Sequence, residues 1–471
     1  MSQLHLFFAI RLTIFYYLWS FMESFVYGLL IYIFYDMIFD KIMSFYGLKR
    51  VPCGPDLLFN KIDCYILMYA YTDQIKSIDS IKEQFKKNGN HLGHFRSKYV
   101  ELFGSLYLRE LKGAELKSQW KQAFIEVQED IKDEKQLGQY ITKIGSEKIE
   151  NCSIQFRIYF IKNFMKDQSC IIIKTGHGLA DGVGILLAAC GLQDSFDHKQ
   201  LPVLKPYSFV DSFMKHLMAF FFLYYAFIPP KNVVDPVKID PPCWEAVDKA
   251  PSQSISKDFK VSNVLQLAKK FNCTVNDLMM AVINLTMRDY FAKKGQNYEK
   301  IKFAVAMNCK RRPDKVEDFY YLNYAHSELI FSDMKQEYDF QTVVNQGRDH
   351  MSLLKNSYKE LIVIYIQKVV SYFMPSFVLN NLIPAMINLS PKISISNLNG
   401  PTAPLQFGGA KTRAMSFTCT FGGSYCFFSI FSHLEVMKLG LYVSRMNIEG
   451  DELMEMMEKK IEELMLQKMI K

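Results

Sequence analysis

The sequence predicts an α/β protein of two domains behind an apolar N-terminal segment. Three observations carry that expectation. The β-type run Cys170-Ile171-Ile172-Ile173 leads through glycines into Val183–Ala189, which reads as the start of a buried helix. A Pro-rich stretch, Ile239-Asp240-Pro241-Pro242, separates this strand–helix unit from a second unit with its own helix start at Thr274. The 471 residues leave room for two sizeable cores.

In chain order, residues 1–50 read as a membrane anchor. Between Leu12 and Tyr35 only Glu23 is charged, and the run is long enough to span a bilayer. The opening Met-Ser-Gln-Leu-His lacks the basic start of a cleaved leader, so the anchor is expected to be retained. Lys41, Lys49 and Arg50 outnumber Arg11, which places the bulk of the chain on the cytosolic side. The expected location is the endoplasmic reticulum membrane, with the lipid droplet as the alternative. A charge near the centre of a span costs about 3 kcal/mol, so a hairpin lying in the interface is the other reading of this segment.

Residues 51–205 form a first α/β domain that ends with the histidine strand and its helix. Residues 206–250 are a crossover containing the apolar run Leu217–Ile228, too short to span comfortably. Residues 251–471 form the second domain. Within it Leu361–Ile387 is apolar but broken by Gln367-Lys368, Pro375 and Pro384, and reads as an interfacial helix pair. The last segment, Asp451–Lys471, places Leu453, Met457, Ile461 and Leu464 on one helical face.

Composition narrows the function. The 38 Phe and 27 Tyr suit an apolar substrate channel or a membrane-facing surface, and also ordinary core packing. A net charge of +8, spread along the chain, favours an anionic membrane face or a polyanionic ligand. The ten cysteines lie far apart, Cys419 and Cys426 being the closest pair, and read as reduced thiols. There is no Cys-x-x-Cys, glycine-rich phosphate loop, dinucleotide fingerprint or nucleic-acid motif. No metal or redox cofactor is implied, and nothing specifies an oligomeric state.

The chemistry concentrates in Gly176-His177-Gly178-Leu179-Ala180-Asp181-Gly182. An imidazole delivered from a rigid strand end can take a proton from a substrate hydroxyl. Taken alone, the same residues also suit a hydrogen-bonded loop histidine. Thr274 is an N-cap candidate answered by Asp277, beside Asn276, and Leu278, Ala281, Val282 and Leu285 follow at helical spacing. Asn397 stands where the run Ile393-Ser394-Ile395 meets Gly400-Pro401; its amide could donate to a developing oxyanion or tie down the turn.

These segments resemble the wax ester synthase/diacylglycerol acyltransferase family of the coenzyme A-dependent acyltransferase superfamily. The family motif is two histidines, three variable residues and Asp-Gly; here Gly176 replaces the first histidine, and His177, Asp181 and Gly182 match the rest. Gln155–Phe160 resembles the strand before the histidine strand, Phe271–Ala281 the family's Thr-Val-Asn-Asp helix start, and Ile395–Pro401 with Pro404–Ala410 its Ser-Asn-x-x-Gly-Pro loop. The four blocks occur in the family's order from about Tyr99 onward.

The resemblance implies two chloramphenicol acetyltransferase-like domains with mixed sheets and a tunnel between them. It implies a membrane-bound enzyme moving a long-chain acyl group from acyl-CoA to a fatty alcohol or diacylglycerol, with acyl-CoA and a hydroxyl lipid as substrates. His177 would be the general base. Asp181 would be structural and pair with a cation, here Lys310 or Arg311 beside Asn308, and Gly178 and Gly182 would allow the tight backbone path. The alternative is a non-catalytic relative of the same fold, serving as a lipid binder or a structural subunit of a membrane complex.

Overall fold

The computed structural model describes residues 3–22, 25–51, 55–89, 92–102, 105–195, 249–308, 325–356, 392–420 and 426–466, with the isolated positions 213, 217 and 381. The chain opens with helices α1 (Gln3–Met22) and α2 (Phe25–Phe45). The apolar run Leu12–Tyr35 is thus shared between two helices, and no described helix is long and apolar enough to cross a membrane. This corrects the expectation of a single spanning anchor. The second half of α2 carries Asp36, Asp40 and Lys41, and Asp40 is held by Arg50 at 3.0 Å and by the Tyr107 hydroxyl at 3.3 Å. That polar end belongs to the folded body.

The body begins with β1 (Leu48–Arg50), α3 (Pro55–Lys61), β2 (Tyr65–Asp73) and α4 (Ile78–Asn88). It continues through β3 (Ser97–Leu102), β4 (Ser105–Glu110), α5 (Gly113–Ala123), β5 (Phe124–Glu126) and α6 (Glu134–Ser146). It then reaches β6 (Phe156–Phe164), β7 (Gln168–Gly176) and α7 (Gly182–Leu192). The second stretch holds β8 (Ser252–Ile255), β9 (Phe259–Lys260), α8 (Val261–Lys270), α9 (Val275–Lys293), β10 (Lys300–Asn308), β11 (Ala325–Asp333) and α10 (Phe340–Asn356). It closes with β12 (Ile393–Asn399), β13 (Gln406–Phe407), β14 (Ala410–Thr420), β15 (Cys426–His433), β16 (Val436–Val443) and α11 (Gly450–Leu466).

Among the described residues these strands make a small β1-β4-β3 sheet and two larger mixed sheets. The first large sheet runs β13-β14-β2-β7-β6-β5, parallel between β5 and β6 and antiparallel elsewhere. The second runs β11-β10-β12-β15-β16-β8, with β9 also on β16, and is parallel across β10-β12-β15. The two are not closed off from each other in sequence. Strand β14, from the far end of the chain, pairs with β2 from Tyr65↔Thr420 to Thr72↔Thr412.

Strand β7 is covered on both faces, which is why its sequence is a continuous apolar run instead of an alternation. Ile171 and Ile173 point into a core shared with α4 and α7, while Cys170 and Ile172 pack toward α6. The charged member of the run, Lys174, is fully buried; its ammonium donates to the carbonyl of Ile144 (2.6 Å) and to that of Glu147, the last carbonyls of α6 and its C-cap. A cation at a helix C-terminus is favoured by the helix dipole, and the Tyr65 ring lies 4.1 Å from the same ammonium. Burial pulls its pKa down to about 7.

Helix α7 has no charged residue and is buried along nearly its whole length. Its core also includes Phe427, Phe431 and Tyr442 of the second sheet, so this helix sits where the two halves share apolar contacts. In the second half α9 and α11 cover the other sheet, and Leu453, Met457, Ile461 and Leu464 are all buried, as their spacing predicts. Most of Leu217–Ile228 and of Leu361–Ile387 lies outside the described residues.

Candidate active site

The histidine turn is pinned at both ends. The backbone N–H of His177 donates to the Cys64 carbonyl at 2.8 Å, extending the β2–β7 pairing one step beyond the strand, and the Leu179 N–H donates to the Gly176 carbonyl at 2.9 Å. Asp181 then caps α7: its Oδ1 accepts the Gly184 N–H at 2.7 Å. A carboxylate at this position offsets the unpaired amides and the positive end of the helix. The structural role expected of Asp181 therefore has a local basis. Lys310 and Arg311, the cations expected beside it, lie outside the described residues, as do residues 309–324 generally.

The imidazole is half-buried and lies against the Phe59 ring, centroid to centroid 3.9 Å with a 34° tilt. Burial lowers its pKa to about 4, against a smaller opposing effect of its own backbone carbonyl. Its Nδ1 is buried and meets no side-chain partner. A neutral ring whose Nδ1 faces the protein offers Nε2 as the acceptor for an outside proton.

Glycine is required on one side of this histidine and not on the other. A Cβ at Gly178 would overlap the Asp56 carbonyl oxygen and come within 3.3 Å of the Tyr99 hydroxyl, whereas at Gly176 the nearest atom would be Gln155 Oε1 at 3.9 Å. The motif's missing first histidine is thus not excluded by backbone crowding. Tyr99 is buried and its hydroxyl has no hydrogen-bond partner in the structure.

The second half reaches the same turn. A Cβ at Gly182 would stand 2.6 Å from Leu398 Cδ1, so β12 packs on the first turn of α7. Next to Leu398 in the chain, Asn397 donates from Nδ2 to Asn276 Oδ1 at 3.5 Å. Asn276 stands in the first turn of α9, whose start is closed by a capping box: Thr274 Oγ1 accepts the Asp277 N–H, and Asp277 Oδ2 accepts the Thr274 N–H at 3.0 Å. The structure therefore brings Asn397 and Asn276 together, and leaves Asp277 a capping residue with Oδ1 buried and unpaired.

Several supporting residues carry no sequence signal of their own. Phe59 is one aromatic among many. Asp194 accepts the N–H groups of Gly408 (2.9 Å) and Gly409 (2.7 Å), which turn the β13–β14 hairpin at positive φ. His433 bridges Thr412 and the Pro401 carbonyl, fixing the loop after β12. No group of three His, Cys, Asp or Glu that could hold a metal occurs among the described residues.

Residues 329–465 match the family described as the WS/DGAT C-terminal domain. Among solved structures, the fold is similar to that of a wax ester synthase/diacylglycerol acyltransferase from Marinobacter aquaeolei VT8, at 15% identity and a TM-score of 0.59 over 88% of this chain and 99% of that one. It is also similar to a trichothecene 15-O-acetyltransferase from Fusarium sporotrichioides (11% identity, TM-score 0.58, 89% of this chain and 94% of that one). The first condensation domain of the CDA synthetase matches at 9% identity and a TM-score of 0.56, over 87% and 93%. No curated protein sequence matches the chain.

Proposed function

We infer that the chain is an acyltransferase of the wax ester synthase/diacylglycerol acyltransferase type, a reading supported by the match of residues 329–465 to the WS/DGAT C-terminal domain and by the two-sheet fold. It moves a long-chain acyl group from acyl-CoA to the hydroxyl of a fatty alcohol or diacylglycerol. His177 Nε2 takes the hydroxyl proton as the oxygen bonds to the thioester carbonyl carbon. The tetrahedral adduct then collapses, the carbon–sulfur bond breaks, and the imidazolium returns its proton to the departing thiolate. Ester and free coenzyme A are the products, and no acyl-enzyme is required.

The observation that carries this reading is a neutral imidazole on a doubly pinned turn where the two halves of the molecule touch. A low pKa makes a weaker base but keeps the ring unprotonated at neutral pH. Asn397 and Asn276, from the facing half, are the candidate dipoles for the developing oxyanion. The working site would be the cytosolic face of the endoplasmic reticulum membrane or a lipid droplet, where both lipid substrates partition.

The test is ester synthesis from labelled palmitoyl-CoA with hexadecanol or diacylglycerol, comparing wild type with His177→Ala at matched protein level. Loss of roughly two orders of magnitude or more is expected, and the product names the acceptor. Absence of ester from wild type with every hydroxyl lipid would leave the alternative, a lipid-binding relative, which the Gly176 departure favours.

A further inference from the structure

The helical hairpin at the N-terminus has a surface that nothing in the catalytic reading uses. Arg11 lies 5.3 Å over the Tyr35 ring. The two residues are nearly equidistant from the break between α1 and α2, so the helices run antiparallel and both return to the same end. At that end α2 is tied to the body by Asp40–Arg50 and Asp40–Tyr107.

Among the described side chains the rest is apolar and largely open. In α1 the side chains of Leu12, Ile14, Tyr16 and Tyr17 are exposed, the two tyrosines at 70% and 66%; in α2 Phe34 and Ile38 are each 60% exposed. These positions do not form a stripe. At 100° per residue, exposed positions from Ile10 to Ser20 cover about 200° of the circumference of α1. A helix that docks on one partner presents an apolar arc of about 100°. A mainly apolar surface covering more than half of a helix is matched by a solvent that surrounds it.

We propose that the hairpin is a monotopic membrane element that enters one leaflet of a lipid bilayer from the side of the folded body without crossing it. Its length fits. Leu12–Met22 and Phe25–Tyr35 carry no charge, and eleven residues of helix extend about 16 Å, close to one leaflet of a hydrocarbon core about 30 Å thick. Glu23, between the two helices in the chain, is the one charge inside this stretch, at a cost of about 3 kcal/mol; the others begin beyond it, at Arg11 and Asp36, followed by Asp40 and Lys41. Exposed Phe45 and Tyr46 beside Lys41 and Lys49 give the base the aromatic and basic composition of a headgroup region. This inference stands apart from the acyl-transfer reading, because its readout is binding.

The experiment is flotation of the purified full chain with phosphatidylcholine vesicles, with and without phosphatidylserine, in low and high salt. Wild type is expected to float with both vesicles and to stay bound in high salt. Tyr17→Asp combined with Phe34→Asp should lower the floated fraction by roughly tenfold or more, with the thermal midpoint of the body unchanged. If that pair disturbs folding, Tyr17→Ser with Phe34→Ser should give an intermediate loss. The proposal is overturned if wild type stays with the unbound fraction, or if binding needs phosphatidylserine and disappears in salt. It is also overturned if the chain is a lipid-independent dimer that the same substitutions convert to monomer, which would assign the surface to a second copy.

Discussion

Of the three histidines whose pKa values burial pushes to about 4, His94, His177 and His433, the last two stand in contrasting surroundings. His433 is 1% exposed and has both ring nitrogens occupied. The Pro401 carbonyl can only accept, so Nδ1–H donates to it at 3.1 Å; Nε2 of the neutral ring then accepts the hydrogen of the Thr412 hydroxyl at 2.9 Å, and that hydroxyl accepts the Leu405 N–H. His177 is half-buried, stacked on Phe59, with no side chain on Nδ1. The same depressed basicity thus belongs to a closed structural link in one case and, in the other, to a ring with an unfilled nitrogen, which suits the base proposed above. A perturbed pKa locates burial; the unfilled bonds locate chemistry.

The sharpest way to break this contrast is to remove each ring in turn. His177→Ala should abolish ester formation with little change in the unfolding midpoint. His433→Leu should do the reverse, lowering stability by about 2 kcal/mol through two lost hydrogen bonds and newly unpaired partners, as read by urea unfolding, while rate per folded molecule falls far less. If His433→Leu removed activity from a fully stable protein, the loop after β12 would have to be catalytic.

A smaller effect separates the two glycines beside His177. Gly178→Ala forces a methyl group onto the Asp56 carbonyl and is expected to cost about 1–3 kcal/mol with a clear drop in rate. Gly176→Ala should be nearly silent in both. Equal effects at the two positions would contradict the turn geometry.

The smallest and most gradual difference lies in acid. With His177 as the proposed base its neutral form is the working one, so kcat/KM should be level through neutral pH and fall only as pH approaches about 4, well below the inflection of an unperturbed histidine near 6.5. For His433 the sign is fixed by proton binding: between about 6.5 and 4 the unfolded chain holds the extra proton. Its stabilisation is therefore complete above about 6.5 and is lost as pH falls toward 4, by at most about 3 kcal/mol. Denaturant midpoints against pH should flatten in that window for His433→Leu.

What the sequence disclosed follows the range of the interactions involved. The histidine strand, the cap at Asp181 and the Thr274–Asp277 box are set by residues a few positions apart, and the periodicity of the last helix is likewise local. The pairing of Tyr65 with Thr420 is not, because no local pattern says which strand will neighbour β2. His433 carries no local signal either, since its role depends on Thr412 and Pro401 from separate segments. At the N-terminus the apolar composition was legible and left a single span and an interfacial hairpin as alternatives, because length alone does not choose between them; the run is divided between two helices.

The late arrival of β14 has a consequence for how the molecule is made. Until residues 410–420 have left the ribosome, β2 is an open edge beside the histidine strand, with a row of amides and carbonyls awaiting a partner more than 300 residues downstream. Such edges invite association between nascent chains. The first half cannot mature on emergence, and a chain truncated before β14 would keep the histidine, lose its neighbouring strand and expose an aggregation-prone flank.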